Sequence, residues 1–165
     1  MQAHDDGVGL IIFDADNTLR RTTVPGQVCP RDPKEWELLP GVVERLHAIA
    51  WGPGAMQLGV ASNQDQIAYG FVSEATAHAL LRDMAREATG YAPPAGAVQL
   101  CPHTIESACG CRKPQPGLLH RIMRFYTVPP DRTLFVGDHA VDADAARRAG
   151  VQFQWAQDFF GWGRP

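Results

Sequence analysis

The chain is 165 residues long, enough to enclose one hydrophobic core and short for two. Its 45% hydrophobic and 20% charged residues are ordinary for a globular protein, and a net charge of −3 gives no global pull on nucleic acid or anionic membrane. The longest apolar runs fall well short of a membrane span, and the acidic start MQAHDDGVG lacks the apolar segment of a signal peptide, so a cytoplasmic protein is expected.

In chain order, VGLIIF (8–13) reads as a first strand. Within 41–50, Val42, Leu46 and Ile49 recur at helical spacing, with Gly52 and Pro53 as stop signals. QLGVA (57–61) is a second strand. Ser73 is placed to cap a helix that carries Thr76, Ala77, Leu80, Leu81 and Met84 on its apolar side and is closed by Gly90. AVQL (97–100) follows as a strand. Over 116–126, Leu118, Leu119, Ile122 and Phe125 share one face, with Pro116 suited to the first turn. TLFV (133–136) is the fourth strand, the segment 142–150 is helical with Gly150 as its cap, and VQFQW (151–155) is the last strand. This alternation predicts an α/β fold with a doubly wound, mostly parallel sheet, in one domain spanning 1–165 without repeats or linkers.

In such sheets ligands gather at the carboxyl ends of the strands. DADNT follows the first strand, SNQDQ the second and GDHAVD the fourth, so three loops at one end are rich in functional groups. Asp14 and Asp16 are two apart, and in an extended backbone their side chains point the same way. A carboxylate at Asp14 suits attack on phosphorus, with Asp16 giving a proton to the leaving alcohol and later taking one from water. Like charge opposes that approach, so a cation is needed. Asp138 with Asp14 and a backbone carbonyl would form an oxygen-rich Mg²⁺ site, Ser62 would hold phosphate oxygens and Lys113 would supply positive charge.

These residues resemble the four motifs of the haloacid dehalogenase (HAD) superfamily of phosphatases. Asp14-Ala15-Asp16-Asn17-Thr18 is similar to the first, Ser62-Asn63 to the second, Lys113 to the third, and Gly137-Asp138 with Asp142 to the fourth, over roughly residues 9 to 160. The resemblance implies a Rossmann-like core, with Asp14 as nucleophile and Asp16 as acid/base. It implies Asp14, the Asp16 carbonyl and Asp138 as Mg²⁺ ligands, Ser62 and Lys113 on the phosphoryl group, and Asp142 orienting Lys113 or waters. Thr18, Asn63 and Gln64 are the expected substrate contacts. Asn17 stands where Gly is usual, and Asn tolerates the left-handed conformation. Superfamily members often insert a cap domain. Here the segment from Leu19 to Leu39 is too short for one and 65–112 is otherwise filled, so a capless enzyme with an open site is expected.

The segment CPHTIESACGCRKP gives C-x-H-x5-C-x-C, so Cys101, His103, Cys109 and Cys111 form a Cys₃His set suited to a closed, structural zinc site in a loop at about 101–111. Such a loop followed by Arg-Lys-Pro is similar to the heptose 1,7-bisphosphate phosphatase and histidinol-phosphatase branch. That likeness implies a substrate role for Arg112. Ala15, Tyr69 and His139 stand where the branch usually has Arg, Arg and Lys. The first motif and the ending FQWAQDFFGW are also similar to polynucleotide 3′-phosphatases. The expectation is a Mg²⁺-dependent phosphomonoesterase acting on a small phosphorylated metabolite, a sugar phosphate such as heptose 1,7-bisphosphate, as a monomer or weak dimer. Histidinol phosphate and a polynucleotide 3′-phosphate are alternative substrates, and a non-catalytic binding protein on the same scaffold is the reading from another class. Arg20 and Arg21 read equally as an anion clamp or as solvated arginines. Cys29 reads as an unpaired loop thiol, and Trp155, Phe159, Phe160 and Trp162 as core packing first and a dimer contact second. His4, His47, His78 and His120 are assigned nothing.

Overall fold

A strand covered on both faces must be apolar at every position, and LIIF satisfies that. In the computed structural model, which describes residues 7–163, it forms β1 (Leu10–Phe13) with all four side chains buried. His4 and the first six residues lie outside the described residues. Ile11 and Phe13 enter one hydrophobic cluster, Leu10 and Ile12 the other, as the period of two requires.

The chain continues through β2 (Arg20–Thr22), β3 (Trp36–Leu38), α1 (Val42–His47), β4 (Gln57–Asn63) and α2 (Glu74–Thr89). It then forms β5 (Val98–Cys101), α3 (Gly117–Tyr126), β6 (Thr133–Gly137), α4 (Ala140–Ala149), β7 (Gln152–Trp155) and α5 (Ala156–Phe159). Five strands make one sheet in the order β5-β4-β1-β6-β7, every pair parallel. Buried residues of α1, α2 and α5 cover one face, and those of α3 and α4 cover the other. The sheet is therefore doubly wound, and its order reverses beside β1, where β4 and β6 flank it. A crevice opens at such a reversal.

The observed elements differ from the sequence reading in places with clear causes. Arg20–Thr22 pairs antiparallel with Trp36–Leu38, a hairpin within what reads as loop. Helix α1 ends at His47, earlier than 50, and the Trp51 indole takes up the Leu46 carbonyl at 2.8 Å. Helix α4 begins at Ala140 because His139 Nδ1 accepts the Val141 N–H while Asp142 reaches back to the His139 N–H. Ser73 does cap α2, accepting the Thr76 N–H at 3.1 Å, but Thr76 itself is exposed at that cap. Phe125, expected in the core, is 48% exposed and packs edge-on against Tyr126. The aromatic tail is largely core: Phe159 meets Phe13 edge-on at 5.6 Å, and Phe160 stacks on Trp162. No helix among the described residues is long and apolar enough to cross a membrane.

Candidate active site

Asp14 is the residue after β1, and its N–H still pairs with the Val136 carbonyl at 2.9 Å, so the β1/β6 ladder fixes where its side chain emerges. The chain then turns sharply at Asn17, whose φ of 65° is the left-handed conformation expected of Asn at that position. The turn brings Thr18 beneath the carboxylates, its hydroxyl 3.0 Å from Asp14 Oδ2 and 3.1 Å from Asp138 Oδ1.

Lys113 arrives from the far side, 3% exposed, donates to Asp14 Oδ1 at 2.7 Å and to the Ala61 carbonyl at 2.9 Å, and forms an ion pair with Asp142 Oδ1 at 2.8 Å. Its burial alone would favour the neutral amine, but Asp14 and Asp142 outweigh that and hold its pKa well above the ordinary lysine value. Asn63 clamps the Lys113 backbone from both sides, accepting its N–H at 3.0 Å and donating to its carbonyl at 3.1 Å. Asp142 is held at the start of α4, where its Oδ2 accepts the N–H groups of Asp138 and His139. Gly137 makes this possible, since a Cβ there would lie 2.5–2.7 Å from Asp142 side-chain atoms. Burial pushes the Asp14 carboxyl up to about 6, against the opposing pull of Lys113 and with an added push from Asp138. Asp142 is likewise raised, mainly by burial.

Asp14, Asp16, Ser62, Asn63, Arg112, Lys113, Asp138 and Asp142 all face one open cavity of about 500 Å³. Thr18 and Gln64 do not line it. Thr18 is 0% and Gln64 1% exposed, and the Gln64 amide donates to Ser62 Oγ at 2.9 Å and Asp16 Oδ2 at 3.2 Å. These two enclosed side chains therefore touch the functional groups rather than solvent-borne ligands. Arg112 sits at the edge, 3.7 Å from Asp65. Two features escape the sequence reading. Arg20 is 1% exposed and pairs with Asp16 at 2.9 Å, while its neighbour Arg21 is at the surface. Cys29 is buried against the cavity, where burial and Asp16 push its thiol far above the ordinary range. No signal in one sequence separates Arg20 from Arg21 except the alternation of a short strand.

The donor set fits a divalent cation. Oxygens of Asp14, Asp138 and Asp142 lie within 4.8 Å of one another, and those of Asp142 are committed to Lys113 and to α4. Lone pairs thus remain on Asp14 and Asp138. Arg20 pairs with Asp16, and Lys113 with Asp14 and Asp142, so the four carboxylates at the cavity keep an excess of negative charge that a divalent ion can offset.

A second cluster lies beside the cavity, which Cys109 helps to line. Cys101 lies at the end of β5, and its Sγ is 3.1 Å from Cys111 Sγ, 3.6 Å from Cys109 Sγ and 3.4 Å from His103 Nδ1. The edges of a tetrahedral zinc site with Zn–S near 2.3 Å are roughly 3.5–3.8 Å, so this crowding fits one metal with no open position. Burial pushes the Cys109 thiol up, but the N–H groups of Arg112 and Cys111 outweigh it and bring it down to about 6. Burial, with the neighbouring thiols, holds the Cys101 thiol protonated well above the ordinary range. The last ligand, Cys111, is two residues from Lys113, so the loop sets where that amine enters.

Comparison with known proteins agrees with this geometry. Residues 110–155 match the HAD-hydrolase-like family. The D-glycero-beta-D-manno-heptose-1,7-bisphosphate 7-phosphatase of Pseudomonas putida is 32% identical over 150 residues, covering 89% of this chain and 77% of that protein. Its counterpart from Pseudomonas aeruginosa is 36% identical over 153 residues, covering 89% and 75%. The crystal structure of the Bordetella bronchiseptica D,D-heptose 1,7-bisphosphate phosphatase, complexed with magnesium and phosphate, superposes with a TM-score of 0.73 at 28% identity, covering 94% of this chain and 87% of that one. With the strand order, the converging carboxylates and identities above 30% over most of both chains, the protein belongs to the HAD-like hydrolases, in the D-glycero-D-manno-heptose-1,7-bisphosphate 7-phosphatase family.

Proposed function

We propose that the protein hydrolyses the 7-phosphate of a D-glycero-D-manno-heptose 1,7-bisphosphate. The observation that carries this reading is the convergence of Asp14, Asp16, Lys113 and Asp138 on one open cavity, in a chain whose relatives at 30–36% identity bear that activity in their names. Asp14 attacks phosphorus, the bond to the sugar oxygen breaks, and Asp16 gives that oxygen its proton. Water then attacks the aspartyl-phosphate, Asp16 takes the water proton, and Asp14 and inorganic phosphate are released. Lys113 stabilises charge on the transferring oxygens, with Ser62 and the adjoining amides beside it. When bound at Asp14, Asp138 and the Asp16 carbonyl, Mg²⁺ supplies the positive charge that offsets carboxylate–phosphate repulsion. Asp142 aligns Lys113, and Asn63 fixes its backbone. Zinc held by Cys101, His103, Cys109 and Cys111 is structural and braces the loop that delivers Arg112, which meets the substrate, and Lys113.

The acting unit is residues 1–165 as one domain, a monomer or weak dimer. Four cysteines without a disulfide among them suit a reducing, cytoplasmic setting. The test is phosphate release with Mg²⁺ from heptose 1,7-bisphosphate, histidinol phosphate and a 3′-phosphorylated oligonucleotide. The bisphosphate should lead in kcat/KM by about tenfold or more. A lead by either other substrate overturns the substrate, and release from none overturns the enzyme.

A further inference from the structure

Arg20 has the largest side chain among the fully buried residues, and a buried guanidinium is costly unless it is paired. It opens β2, where the hairpin register sets it opposite Leu38 and turns its side chain inward below α2. Its Nη1 reaches the Leu80 carbonyl at 3.4 Å. The rest of its hydrogen bonding goes to Asp16: Nε donates to Oδ1 at 2.9 Å, and Nη2 lies 3.5 Å from Oδ2. Gln64 donates to Oδ2 from another side at 3.2 Å, and its own carbonyl accepts from Gln66, a 7% exposed amide. Asp16 still faces the cavity, since each carboxylate oxygen has a second lone pair.

A fork of this kind fixes a planar carboxylate in angle as well as in place. Asp16 needs such a hold. Asp14, Asp138 and Asp142 form a group of like charge in the same cavity, and Lys113 pairs with Asp14 and Asp142 while Arg20 pairs with Asp16. Without Arg20, the Asp16 carboxylate loses its charged partner and keeps the single hydrogen bond from the Gln64 amide against that repulsion.

We propose that Arg20 is a positioning residue for proton transfer: its buried guanidinium holds Asp16 at the angle from which it reaches the leaving-group oxygen. This rests on the reading of Asp16 as acid/base, and it gives a role in the reaction to a side chain that never meets substrate.

The test uses leaving groups. Sugar oxygen must be protonated as it departs, whereas p-nitrophenolate leaves without a proton. kcat/KM reports the steps up to phosphoryl transfer onto Asp14, before the intermediate common to both substrates. Arg20→Met, similar in length and apolar, should lower kcat/KM on heptose 1,7-bisphosphate about tenfold or more beyond its loss on p-nitrophenyl phosphate. Arg20→Lys should recover part of that difference, and it carries the same ratio if the Met variant does not fold. Added to Asp16→Asn, Arg20→Met should cost the sugar phosphate nothing further. Equal losses on the two substrates, or additive losses in the double variant, overturn the role and leave Arg20 as structural support. The substrate reading fails separately, if wild-type protein ignores the bisphosphate. The ratio is then taken on any sugar phosphate it does hydrolyse.

Discussion

Two polar clusters meet beside one cavity and are built on opposite plans. The carboxylate centre draws Asp14, Lys113, Asp138 and Asp142 from two strand ends, a loop and the first turn of α4, and its members carry opposite charges that pair with one another. The cysteine cluster comes from a single stretch of eleven residues, Cys101 to Cys111, and packs three sulfurs and an imidazole together with no carboxylate among them. The first is supported by the sheet and by internal ion pairs, so it keeps its shape without a metal. In the second, Cys101 and Cys111 are buried in the cluster beneath α3, but Cys109 is half-buried and His103 exposed, so four ligand atoms pointed at one centre are drawn together by whatever occupies it. Chemistry is therefore lost first at one cluster, and structure first at the other.

The sharpest way to break this contrast is Asp14→Asn. Lys113 keeps Asp142 and the Ala61 carbonyl, so the fold and the metal content of the cysteine cluster should be unchanged, while phosphate release falls about 10³-fold or more for want of the proposed nucleophile. Release assayed beside melting temperature checks both halves. Surviving activity would remove Asp14 from the mechanism, and a collapsed fold would remove the claim that the centre is supported by the sheet.

Cys111→Ser addresses the other cluster. The protein should lose zinc and about 2–4 kcal/mol of stability, read by metal analysis and urea unfolding. Turnover should fall too, because Lys113 is two residues away. A purified wild-type protein free of zinc would show that the crowding of the four side chains serves packing alone.

The two clusters also differ in how openly the sequence declares them. Four metal-ligand residues within eleven positions announce themselves by spacing, because a loop closes on a metal locally. The carboxylate centre is legible through a different signal, polar segments directly after apolar runs, since a parallel sheet brings strand ends together wherever they lie in the chain. The five strands follow from their apolar runs to within about two residues, in keeping with the usual ambiguity of boundaries. What stays hidden is burial of a charged side chain. Nothing in RRTT marks Arg20 as enclosed and Arg21 as exposed until β2 is seen to pair with β3, and a three-residue strand is too short to show its period. Gln64 and Thr18 are hidden likewise: motif position marks them as functional, but only the fold turns them inward.

A smaller effect separates the clusters by pH. Burial sets the Asp14 pKa near 6, above its ordinary 3.8, so the metal-free native state binds a proton that the unfolded chain has released. Stability is then fully present below about pH 4 and is lost as pH rises through about 6, on the order of 3 kcal/mol from this group. Mg²⁺ bound at Asp14 would replace that proton. The rise in melting temperature on adding Mg²⁺ should accordingly be larger at pH 7 than at pH 5. Equal rises at both values would detach the Mg²⁺ site from Asp14.

The smallest effect belongs to Arg21→Ala, the neighbour of Arg20. Arg21 meets Glu37 at 2.6 Å across the hairpin, but both side chains are about half exposed. Water competes for each charge, and ordering two long side chains offsets most of the attraction. Loss of the pair should therefore cost about 0.5 kcal/mol or less in urea unfolding and leave phosphate release as it was. Adjacent arginines of one strand then differ in consequence because the pleat sends one to solvent and the other to Asp16. A large loss at Arg21 would mean that the hairpin itself, and not the buried guanidinium, holds Asp16 in place.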